Sequence, residues 1–343
     1  MDFTRRRLLG YLLSSPVLST LSFSALADSA LIIPFGNVPT PRRTLRVLSA
    51  GAPADLLLLA LAPEMLPGLS SFDLSVTGGD FLSPALKRLP RLGRLSGRAS
   101  TLSLEKLLAL NPDIIIDCGN ADEYFRSLAQ RTAVQTGIPY ILVEGNLQDS
   151  ARQLREVGQL LGVSERAEEQ AKLAELFLQD ARRFSQQDSK KPRFYSARGA
   201  VGLETGLQGS LHTEAAELLG LINVASEPQR HGLALVSFEQ LLLWEPDIIL
   251  TQDTKTYQHI IQDPMWHHLK AVRENQVLLF SGLPFGWLDS PPGVNRLLGL
   301  RKLQSHFDLR IQTRWAHDLQ TFFKLFYHSD LTQAQLQPLL EGQ

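Results

Sequence analysis

An internal repeat constrains the fold of this chain more than any other feature. Residues 103–116, SLEKLLALNPDIII, recur as residues 237–250, SFEQLLLWEPDIIL. Serine, glutamate, two leucines, proline, aspartate and two isoleucines occupy matching positions in the two copies. In each copy the serine can cap a helix whose leucines recur at helical spacing, the proline ends that helix, and Asp-Ile-Ile begins a buried strand. The repeat therefore predicts two similarly built lobes.

The strand in each copy indicates the kind of sheet. A continuous apolar strand fed by a helix is typical of a parallel sheet that is covered on both faces, so we predict an α/β fold for each lobe. Between the two copies, residues 164–184 begin with acids, end with arginines and carry apolar residues at every third or fourth position. This pattern predicts one amphipathic helix of about 23 residues, a rod of ~35 Å that is long enough to join two lobes.

The first residues have the pattern of a signal peptide. Arg5-Arg6-Arg7 precede an apolar stretch that ends in Ala25-Leu26-Ala27, which predicts cleavage after Ala27. The paired arginines favour the twin-arginine export route, with an arginine-rich Sec signal as the alternative. Serines and a proline interrupt the apolar stretch, so we expect no membrane anchor. Because the single cysteine, Cys118, lies far from the cleavage site, we also expect no lipid attachment.

These patterns divide the chain into five segments. We predict a signal peptide at residues 1–27, a proline-containing linker at 28–43, an N-terminal α/β lobe at 44–147, interlobe helices at 148–190, and a C-terminal α/β lobe at 191–343.

The charge balance limits the partners. The chain has 34 basic and 35 acidic residues, a formal net charge of -1, and no long run of either sign. Nucleic acids and lipid surfaces usually require a basic patch, so we expect a small molecule or a protein as partner instead.

The enzyme alternative is a twin-arginine-exported cofactor oxidoreductase. The chain lacks a G-x-G-x-x-G turn after a strand, a C-x-x-C pair, an H-E-x-x-H motif and a G-x-S-x-G elbow. We therefore expect no catalytic residues, no protein metal site and no resident cofactor. A third alternative is an envelope scaffold protein with the same fold and no ligand.

Several features together resemble a known family. They are the paired Ser-x-Glu-x-Leu-Leu and Pro-Asp-Ile-Ile segments, the long interlobe helix, Asp263-Pro264-Met265-Trp266 followed by Leu269–Val272, and Leu283–Trp287. In this order they resemble the periplasmic binding proteins for ferric siderophores, haem, vitamin B12 and some metal oxyanions. The resemblance implies a class III binding protein with two Rossmann-like lobes joined by one long helix and a ligand cleft between them. It also implies a soluble, monomeric periplasmic protein that delivers its ligand to an ABC permease dimer.

The same resemblance assigns a docking role to two acids. In that family a surface glutamate on each lobe binds arginine pockets of the permease, and these glutamates correspond to Glu105 and Glu239. The alternative is that both are first-turn acids favoured by the helix dipole.

Candidate ligand-binding residues follow from strand position. Ligands bind beyond the carboxyl ends of the strands in open α/β lobes. Arg98 and Arg230 precede the two repeat helices and could clamp an anion, because guanidinium groups match carboxylates, catecholates and oxyanions. Trp287 is a candidate aromatic wall, with an ordinary core residue as the alternative. The remaining candidates are Asn120, Tyr195, Arg198 and His231.

The sequence leaves several related classes of ligand as alternatives. A ferric chelate of the siderophore type is the first choice, because it requires basic and aromatic walls. Molybdate or tungstate comes second, because the segment from Pro284–Asp289 to Asn295–Leu297 looks like the oxyanion branch of the family. Haem and cobalamin follow.

Overall fold

A computed structural model describes residues 31–77, 79–97, 99–187, 190–227, 230–280 and 282–341. The predicted signal peptide, residues 1–27, lies outside the described residues. Within the described part, no helix is both long enough and apolar enough to cross a membrane.

Ten strands and fifteen helices alternate along these residues. The strands are β1 (Ile32–Phe35), β2 (Val47–Ser49), β3 (Ile114–Gly119), β4 (Tyr140–Glu144), β5 (Arg193–Ser196), β6 (Glu204–Gly206), β7 (Ile222–Asn223), β8 (Leu233–Leu235), β9 (Ile248–Thr251) and β10 (Val277–Leu279). The helices are α1 (Ala52–Leu61), α2 (Leu74–Thr77), α3 (Pro84–Lys87), α4 (Leu104–Leu110), α5 (Glu123–Thr136), α6 (Ser150–Leu161), α7 (Ser164–Ser185), α8 (Glu214–Glu217), α9 (Phe238–Trp244), α10 (Thr254–Gln262), α11 (Lys270–Arg273), α12 (Arg296–Phe307), α13 (Leu309–Gln312), α14 (Trp315–Phe326) and α15 (Gln333–Glu341). Short 3-10 turns lie at Pro63–Met65, Gly79–Phe81, Leu147–Asp149 and Trp266–His268.

Two four-stranded sheets define two lobes. The first has the order β1-β4-β3-β2, in which β2, β3 and β4 run parallel and β1 is antiparallel to β4. The second has the order β10-β9-β5-β7 and is parallel throughout. A small antiparallel pair, β6 and β8, accompanies the second sheet. The predicted α/β fold with two parallel-sheet lobes is confirmed.

The sequence repeat is also a repeat of local structure. Helices α4 and α9 begin with Ser103 and Ser237, whose hydroxyl oxygens each accept a hydrogen bond from a backbone N–H three residues later, at 3.2 Å. They end at Asn111 and Glu245, which adopt the left-handed conformation with φ of 45° and 42°. This cap reverses the chain so that the following strand can enter the sheet.

The aspartate of each repeat anchors the strand that follows it. Asp113 accepts a hydrogen bond from the backbone N–H of Arg46 at 2.7 Å, and Asp247 accepts the equivalent bond from Arg193 at 2.9 Å. Each aspartate thereby ties β3 or β9 to the start of the neighbouring strand, β2 or β5. The matching residues of the repeat perform the same task in both lobes.

A single long helix connects the lobes, as predicted. Helix α7 spans 22 residues and buries its apolar stripe, including Ala171, Phe177 and Ala181. Its N-terminal half packs closely on α6, where a Cβ on Gly158 would lie only 2.2 Å from the Cβ of Ala167. Arg155 of α6 forms ion pairs with Glu168 and Glu175 of α7 across the exposed side of this contact.

The segment predicted as a linker, residues 28–43, contains a strand. Residues Ile32–Phe35 form β1, which pairs with β4 at the edge of the first sheet. Pro34 is compatible with this position because an edge strand leaves one side free of ladder hydrogen bonds. Leu31, just before the strand, is almost completely buried, so this part of the segment belongs to the first lobe.

The end of the predicted C-terminal lobe returns to the first lobe. Helix α14 packs on α1 and α7, and the carbonyl of Leu325 accepts a hydrogen bond from Gln170 of α7 at 2.8 Å. The ring Nε2 of His328 lies 2.9 Å from the carbonyl oxygen of Leu59 on α1. The physical reason is that every residue of α1 from Ala54 to Leu61 is buried and all but Asp55 are apolar, so this helix requires cover on all sides.

Candidate ligand-binding cleft

A cleft of about 630 Å³ lies between the two lobes, at the carboxyl ends of both sheets. The first lobe contributes the end of β3, the residues after β2 and β3 and the segment between α1 and α4, among them Gly51, Pro53, Ser71, Arg94, Asp117 and Asn120. The second contributes Arg198, Glu204, His212, Leu233, Asp289 and Pro291. The loops that follow parallel strands meet at one edge of a sheet, which places these groups together.

Helix α1 begins at the cleft. Gly51, in extended backbone, precedes Ala52 and Pro53, and no side chain caps the helix. Its first-turn N–H groups and the positive end of its dipole are therefore available to an anion. Gly51 is required for space, because a Cβ there would lie 2.6 Å from the hydroxyl oxygen of Ser96.

A buried acid lies below this helix start. Asp117 of β3 accepts hydrogen bonds from the Ser96 hydroxyl at 2.9 Å, the Tyr140 hydroxyl at 2.9 Å and the Cys118 backbone N–H at 3.0 Å. Burial raises the pKa of Asp117, and these hydrogen bonds oppose the shift. Burial also raises the pKa of the Cys118 thiol to about 12, so this cysteine stays protonated, consistent with a packing role.

A second buried acid, Asp55, lies on α1 itself. Asp55 accepts hydrogen bonds from the backbone N–H groups of Ser70 at 2.8 Å and Ser71 at 2.9 Å, and from the Ser70 hydroxyl at 2.9 Å. Burial raises the pKa of Asp55 to about 6, despite these bonds. Asp55 thereby holds the turn that brings Ser71 to the cleft.

In the second lobe, Asp289 is the centre of a polar cluster. Its buried carboxylate accepts hydrogen bonds from the Arg198 guanidinium and the Gln252 amide, and it lies 2.7 Å from Nδ1 of His212. Arg198 also contacts Glu204, with 3.3 Å between Nε and Oε1. The positive charge of Arg198 is thus balanced locally, and its donors are held in fixed directions.

Among the described residues of the first lobe, Arg94 is the cationic side chain that lines the cleft. Its Nε donates to the carbonyl oxygen of Ala99 at 2.6 Å, which orients the guanidinium. Its two Nη atoms make no hydrogen bond to any residue in the described ranges, so they remain available for a ligand.

The structure brings two of the predicted ligand-binding residues to the cleft. Asn120 and Arg198 both line it. Arg98 lies outside the described residues.

Tyr195 and Trp287 do not reach the cleft. The Tyr195 ring is fully buried, and its hydroxyl donates to the carbonyl of Gly202 at 2.9 Å. Trp287 is 3% exposed and packs edge-on against Trp315, with 5.7 Å between the ring centres. The aromatic wall predicted for Trp287 is therefore wrong, because its ring packs into the core beneath α12 and α14.

Arg230 and His231 lie on the outer surface instead of the cleft wall. Arg230 is exposed and pairs with Glu227, three residues earlier. His231 is exposed as well, and neither residue is among those that line the cleft. Arg230 pairs with Glu227 and does not line the cleft, so this arginine does not form its half of the predicted clamp with Arg98.

Sequence reasoning missed several cleft residues. Arg94 lies in the loop before α4, from which Arg98 was chosen. Asp117 directly follows the run Ile114–Ile116, near the end of the strand, and the strand-end rule could have selected it. His212 and Asp289 are 77 residues apart, and no local pattern joins them.

The described residues contain no group of three or more His, Cys, Asp or Glu side chains placed to hold a metal ion.

Two α/β lobes, one connecting helix and an interlobe cleft define the architecture of a class III binding protein. The periplasmic binding protein family model matches residues 85–281, and the chain belongs to this family. The family consists of binding proteins, which agrees with the predicted non-enzymatic role. No significant match is found among curated protein sequences.

Solved structures share the fold over most of the chain. An ABC transporter solute binding protein from Sulfurospirillum deleyianum is 27% identical, with a TM-score of 0.79 over 88% of this chain and 95% of that one. The molybdate-bound periplasmic binding protein MolA of Haemophilus influenzae is 19% identical, with a TM-score of 0.66 over 86% and 96%. The vitamin B12 binding protein BtuF of Vibrio cholerae is 21% identical, with a TM-score of 0.58 over 80% and 98%. The last two show similarity of fold alone.

Proposed function

We propose that this protein is the soluble periplasmic solute-binding component of an ABC importer and that its cleft captures a ferric chelate. The observation that supports this most directly is a cleft with donors on both sides. Arg94 and the start of α1 lie in the first lobe, and Arg198 and His212 lie in the second. The chain acts as a monomer without a resident cofactor, and the metal arrives as part of its cargo.

The cleft volume favours a chelate over a bare ion. About 630 Å³ lies within the ~300–1,000 Å³ typical of small-molecule sites and equals roughly 20 water molecules at ~30 Å³ each. A tetrahedral oxyanion fills only a small part of such a space. An iron complex with organic ligands can contact both walls at once.

The charges of the cleft suggest a moderate negative charge on the ligand. Arg198 is balanced by Asp289 and Glu204. Among the described residues, the unbalanced attraction for an anion therefore comes from Arg94 and the N-terminal end of α1. A chelate with carboxylate or catecholate oxygens on the side of the first lobe fits this distribution.

The second candidate is the same role for molybdate or tungstate. The uncapped start of α1, with Gly51 and Ala52 at the cleft, favours it, because helix N-termini bind oxyanions through backbone N–H groups. MolA of Haemophilus influenzae, which shares the fold, is a molybdate-binding protein. Haem and cobalamin remain the further alternatives.

A binding panel on the chain from Asp28 onward tests the proposal. It includes ferric catecholate, hydroxamate and citrate complexes, haem, cobalamin, molybdate and tungstate, measured by calorimetric titration. We expect one class to bind, and Arg94→Ala to weaken that binding about 10- to 100-fold, because a hydrogen bond to a charged group contributes about 1.5–3 kcal/mol.

Arg230→Ala is the matched control, because it removes an arginine that lies outside the cleft and should leave the affinity unchanged. If no iron complex binds, the ferric-chelate proposal is rejected, and binding of molybdate or tungstate instead establishes the second candidate.

Glu105 and Glu239 are the proposed contacts with the permease. Both are exposed in the first turns of α4 and α9, at matching positions of the repeat. Hydrogen bonds from its own backbone N–H and from the Ser237 hydroxyl lower the pKa of Glu239, which keeps it ionised for an arginine partner.

We expect the double variant Glu105→Ala/Glu239→Ala to abolish most uptake of radioactive iron in cells while the purified protein binds its ligand with unchanged affinity. Glu165→Ala, which removes an exposed first-turn acid of α7, is the control and should transport normally. Normal uptake by the double variant would refute the docking role.

A further inference from the structure

Arg296 is a buried arginine whose guanidinium bonds to both lobes. It is the first residue of α12, and its side chain is 3% exposed. Nη2 donates to the carbonyl oxygen of Gly145, which directly follows β4 of the first lobe. Nη1 donates to the carbonyl oxygen of Leu211 in the second lobe at 3.0 Å, and also to the carboxylate of Glu214. One side chain thereby connects the two lobes directly.

Glu214 adds a second connection between the lobes. It is the first residue of α8 in the second lobe, and its side chain is 17% exposed. The carboxylate oxygen that accepts a hydrogen bond from Arg296 also accepts one from the backbone N–H of Leu147 in the first lobe, at 3.0 Å. Each member of this ion pair therefore bonds to the backbone of the first lobe.

These contacts lie next to the residues that line the cleft. Gly145 packs against Gly119 of the first wall so closely that a Cβ on Gly145 would lie 2.6 Å from the Cα of Gly119. The Gly145 N–H also donates to the carbonyl oxygen of Gly119 at 2.8 Å. In the second wall, Leu211 itself lines the cleft, as does the following residue, His212. A shift of one wall relative to the other must therefore stretch or break a bond to Arg296.

The chemistry of a guanidinium suits it to hold two surfaces at a fixed distance. Its donors form a rigid planar fork, so acceptors on two lobes are held in one relative position. Burial makes the loss of a partner costly, because water cannot replace the missing contact. The Nε of Arg296 donates to the carbonyl oxygen of Gly293 at 3.1 Å, which fixes the direction of the fork at the start of α12.

We propose that Arg296 is a positioning residue that sets the distance between the two walls of the cleft. The ligand-free cleft then has one width and is preorganised for a ligand of matching size, which lowers the entropic cost of binding. Without Arg296 the lobes sample wider separations, and only molecules with the native spacing bind. This inference concerns the geometry of the cleft and holds for each of the ligand classes considered above.

Distances between spin labels in the ligand-free protein test the proposal. The chain from Asp28 onward carries Leu108→Cys on α4 and Leu243→Cys on α9, which replace exposed residues of the two lobes. Cys118→Ala ensures that labels attach only to the introduced cysteines. Double electron–electron resonance spectroscopy then gives the distribution of the interlobe distance, and thermal unfolding checks that each variant is folded.

We expect one narrow distribution in the labelled reference protein and an added population at longer distances in Arg296→Met. Glu214→Ala removes the second connection and should broaden the distribution as well. Arg301→Met is the matched control, because it removes another buried arginine of α12. Its partners, Asp180 and Asp318, do not line the cleft, so this variant should lose stability but keep the narrow distribution.

A binding measurement relates the spacing of the walls to ligand capture. The probes are a ferric tris-catecholate complex, ferric citrate and molybdate, each titrated calorimetrically into unlabelled protein. If about one tenth of the Arg296→Met molecules keep the native spacing, the affinity for a probe that the wild type binds should fall about tenfold. Folded Arg301→Met should bind that probe as the wild type does.

Three results would overturn the proposal. They are a reference-like distance distribution in folded Arg296→Met, equal broadening in Arg301→Met, and unchanged affinity of Arg296→Met for a probe that the wild type binds. If Arg296→Met does not fold, Glu214→Ala decides by the same criteria. If the wild-type protein binds none of the probes, the ferric-chelate and oxyanion functions fail, whereas the label distances still decide whether Arg296 sets the spacing.

Discussion

Replacing Arg301 with methionine should lower the free energy of unfolding by about 3–5 kcal/mol, which is typical for removing one partner of a buried ion pair. The Arg301 side chain is fully buried on α12. Its Nε donates to Asp318 of α14 at 2.7 Å, and Nη1 donates to Asp180 of α7 at 2.8 Å. The guanidinium also lies 4.7 Å from the ring centre of Phe177. Methionine retains the apolar stem but leaves the buried carboxylate of Asp318 without its main partner. Equilibrium unfolding in urea measures the loss.

A second substitution identifies the cause of this loss. Arg301→Met combined with Asp318→Leu removes the isolated charge, and the double variant should recover much of the lost stability, because a buried ion pair and a well-packed apolar pair have similar net stability. Arg310→Ala is the control, because its pair with Asp308 involves a largely exposed arginine and contributes little in water. A loss for Arg301→Met no larger than that for Arg310→Ala would contradict the buried-pair explanation.

The second large effect is expected at Trp287. Trp287→Ala should destabilise the protein by about 3–5 kcal/mol, the range for truncating a buried aromatic residue, and leave ligand affinity unchanged in the folded fraction. The ring is 3% exposed and contacts Trp315. Helix α12 passes so close that a Cβ on Gly299 would lie 2.1 Å from the Trp287 carbonyl oxygen. The surroundings therefore have little freedom to close the cavity that the substitution leaves.

Trp287→Phe separates packing from recognition. This variant keeps an aromatic ring and should lose less stability than Trp287→Ala. Unfolding curves and calorimetric titration with the ligand found in the panel give both quantities. If Trp287→Ala kept its stability and lost ligand affinity, the residue would form the cleft wall after all.

The sequence predicted those parts of the fold that depend on signals from a few neighbouring residues. Ser103 and Ser237 indicate the starts of two helices, and Pro112 and Pro246 indicate where the helices have ended. The isoleucine runs that follow are typical of buried strands. Each of these signals spans a few residues, and their repetition fixes two similar lobes. The strand β1 was missed because its pairing with β4 joins residues more than a hundred positions apart, and the prolines around it resemble those of a linker.

The sequence predicted which loops line the cleft, but it predicted only some of the side chains that do. The strand-end rule found the loops that contain Arg94, Asn120 and Arg198, since chain direction alone decides where a loop emerges. It could not give the direction of a side chain within a loop. Arg230 forms an ion pair with Glu227, and Trp287 packs against Trp315 in the core. These partners become neighbours only in the tertiary structure.

The return of the last helices to the first lobe has a consequence for the order of folding. Helix α1 is buried on all sides, and α14, which begins at Trp315, covers one of them. A chain that emerges from the ribosome cannot complete its first lobe until nearly all of its residues have been made. Many multidomain proteins fold their N-terminal domain first during synthesis. In this protein the core around α1 is completed only when the C-terminal helices are available, so the first lobe reaches its native structure late in the folding of the chain.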